Sequence, residues 1–143
     1  MKKFTPDQLK QATLAYLDTN RLMSIATVRD GNPWAVTVFF AYDTDLNLYF
    51  FSRPDTVHAV NIEDNNKVAV TIHQNWGTPG KVKGIQLLGK AHKSPSASEI
   101  ATYLKRHPWG MIYPDHRVYK IEPEELYMVN HELFGHFNRV RII

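Results

Sequence analysis

Short β-type segments joined by tight turns run through the first half of the chain, and this pattern constrains the fold most. Residues 21–29 and 34–42 are strand-like, and Asp30-Gly31 between them is typical of a two-residue hairpin. Asp43-Thr44-Asp45 is a further turn signal, and residues 46–52 follow it as a third strand. Three consecutive strands with short connections predict an antiparallel meander.

The second of these strands, WAVTVFFAY, is apolar at positions on both of its faces. A strand with two apolar faces is typical of a central position in a sheet, with other elements packed on each side. We therefore expect residues 34–42 to lie centrally and to be covered on both faces.

The rest of the chain adds more strands and a few short helices. Thr5-Pro6-Asp7-Gln8 is a capping-box helix start, and apolar residues at helical spacing continue to Asn20. Ser96 and Glu99 begin a second capped helix, which Pro108 ends. A short helix is predicted over 54–63, and further strands over 67–73, 83–93, 118–121, 126–130 and 137–142. The sequence predicts a single α+β domain over residues 1–143, mainly β, with a compact antiparallel barrel of six to seven strands and small peripheral helices.

Composition and charge exclude several classes of protein. The chain has no cysteine, which excludes a disulfide scaffold, thiolate zinc sites and a cysteine nucleophile. No apolar run approaches the roughly 20 residues of a membrane helix, and the first residues lack the apolar core of a secretion signal, so none is expected. The net charge is +3, but the basic residues are scattered, which argues against a nucleic-acid module. We expect a cytoplasmic protein that binds neither nucleic acid nor membrane.

The familiar catalytic motifs are missing from the sequence. HELFGH, residues 131–136, resembles a zinc-protease helix, but its two histidines are five residues apart, about 140° around a helix, so no metal site is expected. There is no Gly-x-Ser-x-Gly elbow, no dinucleotide fingerprint and no P-loop. No side chain stands out as a catalytic acid, base or nucleophile, so the catalytic residues are unassigned.

The stretch FFSRPDTVHAVNIEDN, residues 50–65, combines anion-binding side chains with a helix start. Unpaired amides and the dipole of a helix N-terminus suit a phosphate, and Ser52, Arg53, Thr56 and His58 supply further donors. The alternative is a plain helix cap formed by Ser52 or Asp55, whose carboxylate would disfavour an anion. The residues alone leave both interpretations open.

The order of elements resembles the flavin-binding split-barrel superfamily, whose best-known member is pyridoxamine 5′-phosphate oxidase. The resemblance covers roughly residues 5 to 140 and rests on PWAVTVFF, LNLYFFS, the Thr-x-His-Ala-x-Asn segment and GIQLLGKAHK. Within the superfamily, the chain is most similar to a small, poorly characterised bacterial branch, the YhbP type. The resemblance implies a split β-barrel, a homodimer and one FMN at each subunit interface.

The resemblance also implies which residues hold the cofactor. The phosphate would contact the donors between Ser52 and His58, and the isoalloxazine ring would lie along the second strand. Gln86 would face the ring from the side, or would simply be a residue on the polar face of a barrel strand. The implied cofactor-binding residues are Val36, Thr37, Val38, Ser52, Arg53, Thr56, His58 and Gln86. The aromatic residues Trp76, Phe134 and Phe137 would either cover the ring or pack in the core or dimer.

Two departures from the superfamily pattern affect the expected function. His58 stands where many relatives carry Lys or Arg, so FMN affinity is expected to be weaker or pH-dependent. The basic residues that pyridoxamine-phosphate oxidase uses for its substrate are not found, so vitamin B6 oxidation is not expected. The leading hypothesis is an FMN-dependent oxidoreductase acting on an unknown small molecule. The alternatives are a flavin, heme or deazaflavin binding protein without catalysis, and a dimeric barrel without a cofactor.

Overall fold

A computed structural model describes residues 3–74, 78–94, 96–136 and 138–143. The α-helices are α1 Pro6–Asp18, α2 Val57–Asp64, α3 Ala97–Arg106 and α4 His131–Phe134. The strands are β1 Leu22–Arg29, β2 Asn32–Tyr42, β3 Leu48–Ser52, β4 Lys67–His73, β5 Lys83–Lys93, β6 Arg117–Asn130 and β7 Arg139–Arg141. Within these ranges, no helix combines the length and apolar character that crossing a membrane would require.

The strands form one antiparallel sheet that closes on itself. Its order is β3-β2-β1-β4-β5-β6-β7, and a further pairing of β3 with β6 closes β1 to β6 into a barrel, with β7 added beside β6. The predicted barrel of six to seven strands is thereby confirmed. The segments predicted at 118–121 and 126–130 are in fact one long strand, β6, because β5 pairs with it past a register shift at Leu88/Gly89.

Local chemistry explains the boundaries that the sequence predicted well. Asp30 and Gly31 have φ of 51° and 76°, the left-handed conformation that a tight hairpin needs, and they join β1 to β2. Thr5 and Gln8 form the predicted reciprocal capping box of α1. The helix then covers the barrel with Tyr16 and Leu17, which are both buried.

The prediction that β2 is covered on both faces is wrong. Phe40 is fully buried, but Trp34 and Phe39 are 48% and 45% exposed. The edge of this part of β2 is open as well: β3 pairs only with Phe40–Tyr42, so residues 32–39 have β1 on one side and no second partner strand among the described residues. The first part of β2 is therefore an open edge with exposed apolar side chains.

A second, smaller core lies outside the barrel, between α3 and the outer surface of β3 and β6. Tyr103 of α3 is fully buried there with Tyr49 and Val118, and its ring stacks on Phe51 with centroids 5.2 Å apart. The hydroxyl of Tyr103 has no hydrogen-bond partner among the residues that the structure describes. Leaving a buried hydroxyl unpaired costs free energy that removal of the hydroxyl would recover.

Tyr103→Phe is therefore expected to leave the free energy of unfolding unchanged or to raise it by up to about 1 kcal/mol. The ring contacts with Phe51 and His107 remain in the variant, and only the unpaired oxygen is lost. Urea unfolding of both proteins at equal concentration measures the difference. A loss above about 1 kcal/mol would mean that the hydroxyl has a partner, such as a bound water.

Candidate functional site

The N-terminus of α2 presents free backbone donors at the end of β3. Thr56 is the N-cap, with φ −68° and ψ 155°, and its Oγ1 accepts a hydrogen bond of 3.3 Å from the amide of Ala59. The amides of Val57 and His58 precede the first residue that can bond within the helix, so they have no intrahelical acceptor. Val57 is 50% exposed, which leaves this end of the helix open to a ligand. Unpaired amides and the positive end of the helix dipole favour an anion here.

Ser52, Thr56 and His58 meet in the corner between β3 and α2. The Nε2 atom of His58 lies 2.6 Å from Oγ of Ser52 and 3.3 Å from Oγ1 of Thr56. The Thr56 hydroxyl also donates to the carbonyl oxygen of Arg53 at 3.0 Å. The structure thus brings three of the predicted phosphate donors together, and it joins them to one another rather than leaving them free.

Burial sets the charge of His58. Its side chain is only 7% exposed, and desolvation lowers the pKa of its imidazole below the ordinary value of 6.5. His58 is therefore neutral near pH 7 in the protein without ligand. At that pH it acts as a hydrogen-bonding group and not as a cation.

Stability is expected to fall as the pH drops below about 6.5. Burial lowers the pKa of both His58 and His107, so the unfolded chain binds protons more readily than the folded one between the lowered values and 6.5. The stabilisation is present in full above the unfolded value and is lost as the pH falls through the folded values. Urea unfolding from pH 7.5 to 5.5, where carboxylates stay ionised, measures this slope. His58→Gln should reduce the slope, and an unchanged slope would contradict the assignment.

Arg53 is an exposed cation close to the helix terminus. Its Nε lies 3.1 Å from Oδ1 of Asp55, and the two side chains are 52% and 72% exposed. An ion pair this exposed contributes little free energy, so the guanidinium can turn toward a more strongly charged anion. If Arg53 turns to a phosphate, the Asp55 carboxylate loses this partner, so the predicted conflict between Asp55 and a phosphate remains.

A shallow hollow of about 230 Å³ joins the start of α2 to the β1–β2 hairpin. Asn61 lines this hollow, and its Nδ2 donates to Oγ1 of Thr27 at 3.0 Å, with both residues buried. The lining residues are Arg29, Asp30, Asn32, Pro33, Trp34, Val57 and Asn61. Arg29 and Trp34 were not predicted as site residues. In the hairpin, Trp34 lies opposite Thr27. That this hairpin borders the N-terminus of α2 follows only from the packing of α2 on the barrel, which the sequence does not display.

The predicted ring-binding residues lie on two separate strands. On β2, Val36 and Val38 point inward and are half-buried, while Thr37 points outward and is exposed. Gln86 on β5 shares an outward row with Thr37, but Ser24 and Thr71 lie between them. Three strand spacings separate Gln86 from Thr37, about 14 Å. One subunit therefore does not bring Gln86 and the β2 segment together, and Oε1 of Gln86 instead accepts from Arg139 at 3.2 Å.

Of the three aromatic residues that were expected either to cover the flavin ring or to pack in the core or dimer, the structure describes only Phe134. Phe134 is 2% exposed and packs edge-on against Phe4 at 5.4 Å, which is a core contact. Trp76 and Phe137 lie outside the described residues.

The HELFGH segment forms the single turn α4, and the rings of His131 and His136 stack with centroids 5.1 Å apart.

Two known proteins are similar to this chain in sequence over most of their length. A UPF0306 protein of Klebsiella pneumoniae is 26% identical over 125 residues, which is 84% of this chain and 84% of the relative. General stress protein 26 of Bacillus subtilis is 28% identical over 127 residues, which is 85% of this chain and 89% of the relative. Neither name states a reaction.

Solved structures share the fold at lower identity. A heme binding protein from Mycobacterium smegmatis superimposes with a TM-score of 0.77 at 15% identity, over 99% of this chain and 60% of that protein. A FAD-binding protein from Mesorhizobium loti gives a TM-score of 0.69 at 18% identity, over 82% of this chain and 90% of the other. The profile of pyridoxamine 5′-phosphate oxidase matches residues 9–130, most of the chain. The protein therefore belongs to the pyridoxamine 5′-phosphate oxidase family of split barrels.

Proposed function

We propose that the protein is an FMN-binding flavoprotein that acts as an oxidoreductase on a small molecule. The observation that carries this proposal is the N-terminus of α2, where two amides have no intrahelical acceptor and Val57, which carries one of them, lines the hollow beside the unpaired part of β2. With its phosphate at the helix terminus, the flavin would extend its ring along residues 32–39 of β2. Family membership supports the choice of a flavin.

The residues at the helix terminus fit a phosphate. The amides of Val57 and His58 would supply hydrogen bonds, and Arg29, which lines the hollow, and Arg53, which precedes the helix, would supply positive charge. Ser52 and His58 hold the corner in place through their 2.6 Å contact, so in this proposal they position the helix terminus more than they bind the ligand. The dianion itself would favour protonation of His58, against the desolvation that lowers its pKa.

The open edge of β2 suits the polar edge of a flavin ring. Residues 32–39 pair with β1 only, so every second residue leaves its backbone amide and carbonyl without a partner from another described strand. Those groups could bond the ring along Val36, Thr37 and Val38. The exposed Trp34 and Phe39 on the same strand support a homodimer in which the second subunit covers the ring. Gln86 would then come from the second subunit.

A bound flavin would supply the redox chemistry, and the chain would bind it, orient it and exclude water from it. We propose no side chain as acid or base and no particular substrate or electron donor. We also propose that the protein belongs to the YhbP-type branch of the family and that it is located in the cytoplasm. We propose no heme ligand: Nε2 of His58 and Nε2 of His107 are already hydrogen-bonded to Ser52 and to the carbonyl oxygen of Phe40, at 2.6 Å and 2.7 Å.

Val57→Pro tests the phosphate site with little disturbance of the fold. Proline is well tolerated at the first position of a helix, Thr56 already has the extended backbone that proline requires of the preceding residue, and only the Val57 amide donor is lost. FMN affinity, measured by quenching of flavin fluorescence, should fall by about tenfold or more.

Val57→Ala is the matched control, because it shortens the same exposed side chain and keeps the amide. It should bind FMN about as well as the parent protein. Equal FMN affinity for Val57→Pro and Val57→Ala, with both variants folded by circular dichroism, would contradict a phosphate at this helix terminus.

A further inference from the structure

A groove of about 650 Å³ lies between the end of α1, the end of β2 and one face of α3. Its volume is within the range of small-molecule sites. The lining carries three cations and two carboxylates, so its net charge is positive by one. The lining residues are Asp18, Arg21, Ala41, Tyr42, Asp43, Thr44, Thr102, Lys105 and Arg106.

Two of the cations meet at the end of α1. Nη1 of Arg21 donates to the carbonyl oxygens of Asp18 and Asn20 at 2.9 Å and 3.3 Å. Nη2 of Arg106 donates to the same two oxygens at 3.3 Å and 2.5 Å, so the two guanidinium groups are neighbours. Burial, and after it the charge of Arg21, lowers the pKa of the Arg106 guanidinium below its ordinary value. Like charges this close repel each other, and an anion beside them would offset the repulsion.

Arg21 retains hydrogen-bond donors for such an anion. Only its Nη1 donates to an atom of the described chain, so Nε and Nη2, which form one edge of the planar group, have no acceptor there. The residue is exposed, and it forms no ion pair with a carboxylate of the described residues. The free edge matches the two oxygens of a carboxylate, which a guanidinium binds with two parallel hydrogen bonds.

The two carboxylates of the lining differ in what they can still accept. Each oxygen of Asp43 already accepts two hydrogen bonds, from its own turn and from the Tyr49 hydroxyl. Oδ1 of Asp18 accepts from the Tyr42 hydroxyl at 2.9 Å, but Oδ2 of Asp18 has no donor among the described residues. A carboxylate oxygen is a hydrogen-bond acceptor only, so this atom would bond to a donor group of a ligand.

We propose that this groove binds a small hydroxycarboxylate. Its carboxylate would lie on the Nε and Nη2 edge of Arg21, and its hydroxyl would donate to Oδ2 of Asp18. The single negative charge of such a ligand balances the net charge of the lining. A carboxylate without a hydroxyl would bring its charge near Asp18 with no compensating hydrogen bond, and an uncharged ligand would leave the cations as they are.

The groove is separate from the proposed flavin site. Tyr42 lies four residues beyond Val38 on β2, about 13 Å along an extended strand. No described residue lines both the groove and the hollow at the N-terminus of α2. Binding of a hydroxycarboxylate therefore does not require a bound flavin.

Titration with lactate, propionate and lactamide at constant ionic strength tests the proposal, with the amide NMR signals of Thr44, Thr102 and Lys105 as the readout. Lactate should shift these signals saturably at millimolar concentration. Propionate, which lacks the hydroxyl, should bind about tenfold more weakly, the value of one hydrogen bond to a charged group. Lactamide keeps the hydroxyl but lacks the charge, and it should also bind at least about tenfold more weakly.

Arg21→Gln should weaken lactate binding by about tenfold or more, because it removes the charge and the paired donors. Lys90→Gln is the matched control, since Lys90 is exposed on β5 and does not line the groove. It removes the same charge and should leave the affinity unchanged. The proposal is overturned if lactate causes no saturable shift, if propionate or lactamide binds as tightly, or if the two variants, both folded by circular dichroism, bind lactate equally well.

Discussion

Arg106→Ala is expected to lower the free energy of unfolding by about 3 kcal/mol. The guanidinium at the end of α3 donates to the carbonyl oxygens of Phe40, Leu17, Asp18 and Asn20. It also lies 5.1 Å from the ring centroids of Phe40 and Tyr42. One side chain thus joins α3, the end of α1 and β2. Truncation removes four hydrogen bonds to backbone carbonyl groups and both ring contacts, although each carbonyl keeps one other donor.

Urea unfolding at a fixed protein concentration measures this effect. Lys105→Ala is the matched control, because Lys105 is the neighbouring cation on α3 and is exposed. It should change stability by less than about 0.5 kcal/mol. Similar losses for the two variants would show that the carbonyl contacts of Arg106 contribute little.

Gly89→Ala should destabilise the protein by about 2–3 kcal/mol. Gly89 lies at the register shift between β5 and β6, and a Cβ added there would come within 2.5 Å of the Glu122 carbonyl oxygen and 3.2 Å of Cα of Pro123. Both atoms belong to the backbone, so the clash can be relieved only by moving a strand.

Gly84→Ala on the same strand is the control for the loss of glycine itself. The nearest atom to an added Cβ there is the Ile72 carbonyl oxygen at 3.3 Å, a tight but tolerable contact. Its cost should stay below about 1 kcal/mol, and thermal or urea unfolding compares the two. Equal effects of the two variants would mean that β6 can move away from Gly89 at little cost.

Local signals in the sequence were enough to predict the barrel. Asp30-Gly31 specifies a hairpin because both residues must adopt positive φ, and Thr5 with Gln8 specifies a helix start because each satisfies the backbone of the other. Residues 67–73 and 83–93 were predicted as strands and form β4 and β5, in which buried and exposed residues largely alternate. These features depend on neighbours within a few residues, which a single sequence displays directly.

The features that were missed depend on contacts between distant residues. The two-sided apolar pattern of β2 indicated burial, but the strand is half open because β3 pairs with only its last three residues. At the candidate site, Ser52, Thr56 and His58 lie close in sequence and were grouped correctly in space. Arg29 comes from the hairpin that α2 packs against, and no local pattern links the two. The distance of Gln86 from β2 within one subunit likewise follows only from strand order.

FMN binding by the purified protein is the most direct test of the proposed function. Titration of FMN and of riboflavin, which has the same ring but no phosphate, separates the contribution of the α2 N-terminus from that of the ring. We expect saturable quenching of FMN fluorescence, with riboflavin bound at least about a hundredfold more weakly, since two or more charge-assisted hydrogen bonds are lost. If FMN does not bind, or if riboflavin binds equally well, a flavin phosphate at the N-terminus of α2 is contradicted.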